Sequence, residues 1–156
     1  MKRFIRKVAV LGSGVMGSRI ACHYANIGCE VILLDIPPKE LDDAEKKKGA
    51  SLEDKAVRNR IVNSSLQFAL KSNPSPIYRK SFAQRIQTGN FDDDLHKIKD
   101  CDWVIEVIIE RLDIKQQLFE RVEKYRTEGT LISSNTSGIP IHMMLDGRSE
   151  DFQKHF

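Results

Sequence analysis

Two apolar runs of strand length, Val8-Ala9-Val10-Leu11 and Val31-Ile32-Leu33-Leu34, flank a stretch that opens on Gly12-Ser13-Gly14-Val15-Met16-Gly17. Between them Met16, Ile20, Tyr24 and Ile27 recur at helical spacing, and Gly28 stops the pattern. Asp35 closes the second run. The order is strand, glycine turn, helix, strand, acid. A strand–helix–strand unit this short commits the chain to a right-handed crossover and a parallel sheet.

Each part of the unit has a mechanical reason. Gly12 permits a tight turn off the strand, Gly14 lets a diphosphate approach the backbone, and Gly17 lets the helix pack close to the sheet. The helix aims its amide-rich, partly positive N-terminus at the phosphates, so Ser13, Val15 and Met16 belong to the same expected cradle. Asp35, about 20 residues beyond the glycines, is placed to accept hydrogen bonds from an adenosine ribose. The expected ligand is a dinucleotide. A carboxylate here repels the extra phosphate of NADP, and Ile36-Pro37-Pro38 supplies no arginine to neutralise it, so NAD is the expected cofactor.

At 156 residues the chain is one domain's worth of material, residues 1–156. A formal charge of +3 with scattered basic residues argues against nucleic-acid binding, and Lys46-Lys47-Lys48 reads as a solvated stretch. Cys22, Cys29 and Cys101 form an odd set without CxxC or histidine pairing. That pattern implies reduced thiols in a cytoplasmic protein, no metal site, and Cys22 packed on a helix face. The N-terminal apolar run breaks at Gly12, too short for a signal peptide, and no later segment is long enough to span a membrane.

Further along, Pro37 to Tyr78 is irregular. Ser51-Leu52-Glu53-Asp54 reads as a helix start, with Val57, Ile61, Leu66 and Leu70 on one face of a helix running to about Lys71. Gln84 to Thr88 is expected as a third strand and Asp93 to Ile98 as a short helix. Trp103 to Ile108 reads as a strand buried on both faces. Asp113 to about Arg126 is a helix with Ile114, Leu118 and Val122 on one side. Thr130 to Ser133 is a fifth strand, and a final helix starts near Pro140.

The expected architecture is therefore α/β: a doubly wound parallel sheet of Rossmann type, order 3-2-1-4-5, with a helical arm inserted after the second strand. Ligands in such sheets sit at the carboxyl ends of the strands, where the order reverses. Glu110 and Lys115 follow the fourth strand, and Asn135 and Ser137 follow the fifth. All four are expected to project toward the crevice opened by Gly12 to Gly17.

The same residues resemble a known family. Val8 to Asp35, Asp102-Trp103-Val104-Ile105-Glu106-Val107-Ile108-Ile109-Glu110, Lys115-Gln116-Gln117-Leu118-Phe119 and Ser134-Asn135-Thr136-Ser137 are similar, in order, to the NAD-binding domain of 3-hydroxyacyl-CoA dehydrogenases. Pro37-Pro38-Lys39-Glu40-Leu41 and the long arm look closest to large bacterial multifunctional members that also carry an enoyl-CoA hydratase region. The resemblance implies oxidation of a 3-hydroxyacyl-CoA to its ketone in fatty acid β-oxidation, with hydride passing to NAD. It implies that Gly12, Gly14 and Gly17 hold the pyrophosphate and Asp35 the ribose. It implies that Glu110 and Lys115 touch the nicotinamide half and that Ser137 bonds near the reacting hydroxyl.

There are departures. Arg111 stands where the family often has asparagine, and Gly138 where it often has a second serine. The family's general-base histidine lies in a Gly-x-His-Phe-Phe-Asn-Pro segment that this chain does not contain. His155, near the end of the chain, lacks that context and is not the expected base. The chain is thus expected to be the N-terminal part of a longer enzyme and inactive alone. The intact enzyme would be a homo-oligomer acting on an acyl-CoA, and this part a monomer. Two other readings stay open: another NAD-dependent dehydrogenase acting on hydroxy acids or sugar nucleotides, and a non-catalytic, crystallin-like NAD-binding protein.

Overall fold

A computed structural model describes residues 4–156 of the chain. Five parallel strands form one sheet: β1 (Lys7–Leu11), β2 (Glu30–Asp35), β3 (Ile86–Asn90), β4 (Trp103–Glu106) and β5 (Leu131–Ser134), in the order β3-β2-β1-β4-β5. The order is the one expected. β1 is central, with Val8 opposite Val31 of β2 on one side and opposite Trp103 of β4 on the other. Val8 to Leu11 are fully buried, as a central parallel strand covered on both faces requires.

Alternate residues of the strands feed two separate cores. On one face Val8, Val10, Val31, Leu33, Ile86 and Ile105 pack under α1 (Val15–Asn26) and under α4 (Arg60–Lys71), which follows α2 (Asp43–Lys47) and α3 (Lys55–Arg58). On the other, Ala9, Leu11, Ile32, Leu34, Val104 and Ile132 pack under α5 (Leu112–Tyr125), with Leu118, Phe119 and Val122 turned inward. Phe152 of α7 (Glu150–Lys154), which follows α6 (Ile141–Met144), completes that side. Cys22 is buried in the α1 face as expected. Burial also raises the Cys101 thiol to about 12, which makes it unreactive.

The arm departs from the sequence expectation. Instead of one helix there are two, α3 and α4, interrupted at Asn59, whose buried side chain accepts a hydrogen bond from Asn90 Nδ2 at 2.8 Å. The break moves the register, so α4 buries Val62, Leu66 and Ala69, while Ile61 and Leu70 are only partly covered. Ser51 is not a helix cap. Its amide donates to Asp54, and Asp54 is the residue that precedes α3. Within the arm a further helix was not anticipated: α2, opened by a reciprocal capping box between Asp42 and Glu45. Arg60 clamps that box, with Nη1 at 2.8 Å from Asp42 and 2.6 Å from Glu45.

Other boundaries shift for local reasons. Residues 80–85 wind as a 3-10 helix, so β3 begins later than expected, and the helix foreseen near Asp93 is a 3-10 helix over Leu95–Asp100. β4 ends at Glu106 because the chain turns there. The Ile108 amide donates to the side chain of Glu106 at 2.7 Å instead of continuing the ladder. α6 is a single turn, and Ser149 caps α7 through the Phe152 amide.

Candidate functional site

The glycine turn lies at the carboxyl end of β1, and its three glycines serve three different constraints. Gly12 has φ +109°, and a Cβ there would lie 2.4 Å from the Val107 carbonyl oxygen. It is confined by backbone on the far side of the β1–β4 crevice. A Cβ on Gly17 would lie 1.8 Å from the Gly12 carbonyl oxygen. The Gly17 constraint is thus closure of the turn upon itself, and the expected helix-to-sheet proximity follows from it. At Gly14 a Cβ would meet no protein atom within 4 Å. Its missing side chain leaves open space in front of the first turn of α1. Gly14, Val15 and Met16 are exposed, no side chain caps the helix, and among the described residues the Val15 and Met16 amides have no protein acceptor. A diphosphate satisfies that set of donors.

Asp35 ends β2 beside the turn. Its Oδ2 accepts from the Ser13 amide at 2.7 Å and the Ser13 hydroxyl at 2.5 Å, and Oδ1 accepts from the Ile36 amide at 2.7 Å. Ser13 itself is fully buried. It therefore serves as the strut that aims Asp35, with its side chain turned away from the open crevice. Oδ1, which accepts a single bond, keeps a lone pair free for a ribose. Asp35, Ile36, Gly12, Gly14, Ile109 and Arg121 share a groove of about 560 Å³. Arg121 is a groove residue that reading the segment after β2 could not find. Its Nη2 donates to the Phe91 carbonyl at 2.6 Å and lies 3.3 Å from Asp92, so local acceptors already engage part of its charge.

The tips of β4 and β5 carry a charged network. Glu110 Oε1 accepts from the Thr136 hydroxyl at 2.5 Å, the Gly138 amide at 2.9 Å and the Ser137 amide at 3.1 Å. These donors, the Thr136 hydroxyl first, hold the Glu110 carboxyl down at about 2. Its Oε2 lies 3.4 Å from Lys115 Nζ. Lys115 is not on the surface: it is fully buried and donates to both oxygens of Glu106, at 2.7 and 2.8 Å. Glu106, equally buried, also accepts from the Ser134 hydroxyl. Asn135 and Ser137 both have exposed side chains at the mouth of this network. Gly138 leaves 3.8 Å between a would-be Cβ and Glu110, so the small residue is not forced there. Arg111 turns outward to Asp113 at 2.6 Å.

Residues 7–156 match the family model described as the 3-hydroxyacyl-CoA dehydrogenase, NAD binding domain. The chain belongs to that family. Its NAD-binding domain matches a probable 3-hydroxyacyl-CoA dehydrogenase of Bacillus subtilis at 47% identity over 100% of this chain and 20% of the relative. A probable 3-hydroxyacyl-CoA dehydrogenase of Deinococcus radiodurans is 46% identical over 97% of this chain and 40% of its own length. The chain thus spans well under half of these relatives. Among solved structures, (S)-3-hydroxybutyryl-CoA dehydrogenase of Ralstonia eutropha superposes with TM-score 0.60 at 29% identity, covering 90% of this chain and 44% of that one. The Escherichia coli 3-hydroxybutyryl-CoA dehydrogenase gives 0.63 at 26% identity, covering 96% and 28%. The cofactor of this dehydrogenase domain is NAD.

The structure brings Gly12 to Gly17, Asp35, Glu110, Asn135 and Ser137 to the carboxyl edge of the sheet, as expected. Lys115 comes to the same edge but beneath its surface, where it meets Glu106. Sequence reasoning passed over Glu106 and Thr136. Glu106 sits inside an apolar strand run, and that anomaly was the available signal: an unpaired carboxylate there is costly, so it demands a partner. Among the described residues no histidine hydrogen-bonds to Asp35, Glu110 or Ser137, although His23 lines a cavity together with Ser134 and Asn135. His23, His96 and His142 are exposed, and His155 Nδ1 is engaged by Asp151 at 3.1 Å.

Proposed function

We propose that this chain is the N-terminal domain of a longer cytoplasmic 3-hydroxyacyl-CoA dehydrogenase that oxidises the 3-hydroxyl of an acyl-CoA to a ketone. The observation that carries this reading is the placement of two devices on neighbouring strand ends. A bare glycine turn with free amides stands at β1, and a carboxylate-braced Ser137 turn stands between β4 and β5. Bound NAD would supply the acceptor for the hydride that leaves C3. The chain's own residues bind and orient. The first-turn amides of α1 take the diphosphate, and Asp35, aimed by Ser13, takes the adenosine ribose and turns away a 2′-phosphate.

Glu110, ionised throughout the neutral range, offers Oε2 and its remaining lone pairs to the nicotinamide half, with Asn135 beside it. The Ser137 hydroxyl, whose amide is already anchored on Glu110, holds the substrate hydroxyl. The proton of that hydroxyl goes to a histidine supplied by the rest of the enzyme, since no histidine among the described residues hydrogen-bonds to Ser137 or Glu110. An exposed apolar side chain, Ile109, lines the groove beside Gly12, Gly14 and Asp35, and in the intact enzyme it helps keep water from the reacting carbon. No helix among the described residues is long and apolar enough to cross a membrane.

The test is calorimetric and kinetic. The chain should bind NADH saturably and turn over no acetoacetyl-CoA, whereas the full-length protein should bind NADH and reduce acetoacetyl-CoA. Absence of NADH binding overturns the cofactor assignment. Turnover by the chain alone overturns the placement of the base elsewhere.

A further inference from the structure

We propose that Glu106 is a positioning residue: through the buried ammonium of Lys115 it sets the orientation of the Glu110 carboxylate and, with Ser134, the turn that presents Ser137. Its functional consequence rests on the cofactor reading above. The geometry behind it does not.

Glu106 is the last residue of β4, paired in register with Leu11 of β1 and Ser134 of β5. It therefore sits on the sheet's carboxyl edge between the ends of β1 and β5. Its two oxygens are saturated. Oε1 accepts from Lys115 and from the Ile108 amide, and Oε2 accepts from Lys115 and from the Ser134 hydroxyl. Its own carbonyl accepts from the Asn135 amide at 2.8 Å. One side chain and one carbonyl thus tie together the loop after β4, the first turn of α5 and the exit from β5.

Two carboxylates share one ammonium, and they share it unequally. Lys115 grips Glu106 with two contacts of 2.7 and 2.8 Å and stands 3.4 Å from Glu110. Lys115 belongs to Glu106, and Glu110 leans on the pair. Glu110 is itself on a partly exposed loop, its side chain 41% accessible, and it is held between the Thr136, Ser137 and Gly138 donors on one oxygen and Lys115 on the other. A buried ion pair is a weak source of stability, because desolvation consumes most of the Coulomb gain. An apolar pair of similar volume would join strand to helix as well. What an apolar pair cannot do is present a fixed positive charge to Glu110 from below, while that residue's other oxygen receives Thr136, Ser137 and Gly138.

The experiment uses the 156-residue chain and two readouts: the amide proton shifts of Ser137 and Gly138, and the NADH dissociation constant by fluorescence. Glu106→Gln should move both amide signals upfield as Glu110 loses its fixed direction, and should weaken NADH about tenfold. The neutral double variant Glu106→Gln with Lys115→Met should recover thermal stability lost in the single variant but neither the amide shifts nor the affinity. Ser134→Ala, which removes one donor from Glu106 and leaves both charges, should move the same two signals by less. Where Glu106→Gln does not fold, the double variant and Ser134→Ala decide. Full recovery of shifts and affinity in the double variant would reduce Glu106 to a charge neutraliser and overturn the proposal. Unmoved Ser137 and Gly138 signals in the variants that fold would do the same. If the parent chain binds no NADH, the cofactor reading fails while the amide shifts still judge Glu106.

Discussion

Gly14 and Gly17 are close neighbours that resist substitution for opposite reasons. At Gly17 an added methyl collides with the Gly12 carbonyl, so Gly17→Ala should lower unfolding stability by about 2–3 kcal/mol in urea titration. At Gly14 the same methyl meets open space, so Gly14→Ala should leave the melting temperature near the parent's and weaken NADH alone. Asp35→Ala should weaken NADH and narrow its advantage over NADPH, as paired titrations would show; an unchanged ratio would remove the residue's role in selectivity. It should also cost some stability, because the buried Ser13 amide loses its acceptor. Glu110 sets a pH expectation. Its carboxyl is lowered from 4.5 to about 2, so whatever its ionised form organises is complete above 4.5 and fades only as pH falls toward 2. NADH affinity measured between pH 5 and 8 should therefore show no step from this group. The glycines and Asp35 were legible because their constraints are local. The burial of Lys115 was not, because its partner's side chain reaches it only once helix and strand are packed.

Elements followed the same division. β1, α1 and β2 matched their expected limits to within a residue or so, since turn, periodicity and stop signal lie within one contiguous stretch. The arm did not. Its break at Asn59 is decided by Asn90, a residue 31 positions away whose Nδ2 also reaches Asp93 and whose Oδ1 accepts from the Asp92 and Asp93 amides. Arg58 adds a two-bond contact to Asp93 at 2.6 and 2.9 Å. The arm is thus bolted to the end of β3 by polar groups, and its apolar face lies on α1. Asn90→Ala leaves several of these groups without partners and should cost about 2 kcal/mol. Hydrogen exchange should then quicken first in α3 and the start of α4. Exchange spread evenly over the sheet would contradict that picture.

At the scale of the whole molecule, the sheet order followed from a right-handed crossover and a reversal at the glycine turn. The closing of the second core did not. Phe152 is fully buried and meets Phe119 edge-on at 5.7 Å, and Phe156 approaches Phe119 at 5.4 Å. Phe152→Ala should cost about 3–4 kcal/mol by leaving a cavity beneath α5, measurable as a shift in denaturant midpoint at constant slope. The amino-acid order alone settled the parallel sheet, the glycine turn off β1 and NAD as the cofactor, because each depends on residues within one strand–helix–strand unit. Packing alone decided that Lys115 faces inward, that Glu106 holds it, and that the arm breaks where it does. Charge pairs and buried amides choose partners by distance in space, and that distance exists only after the chain has folded.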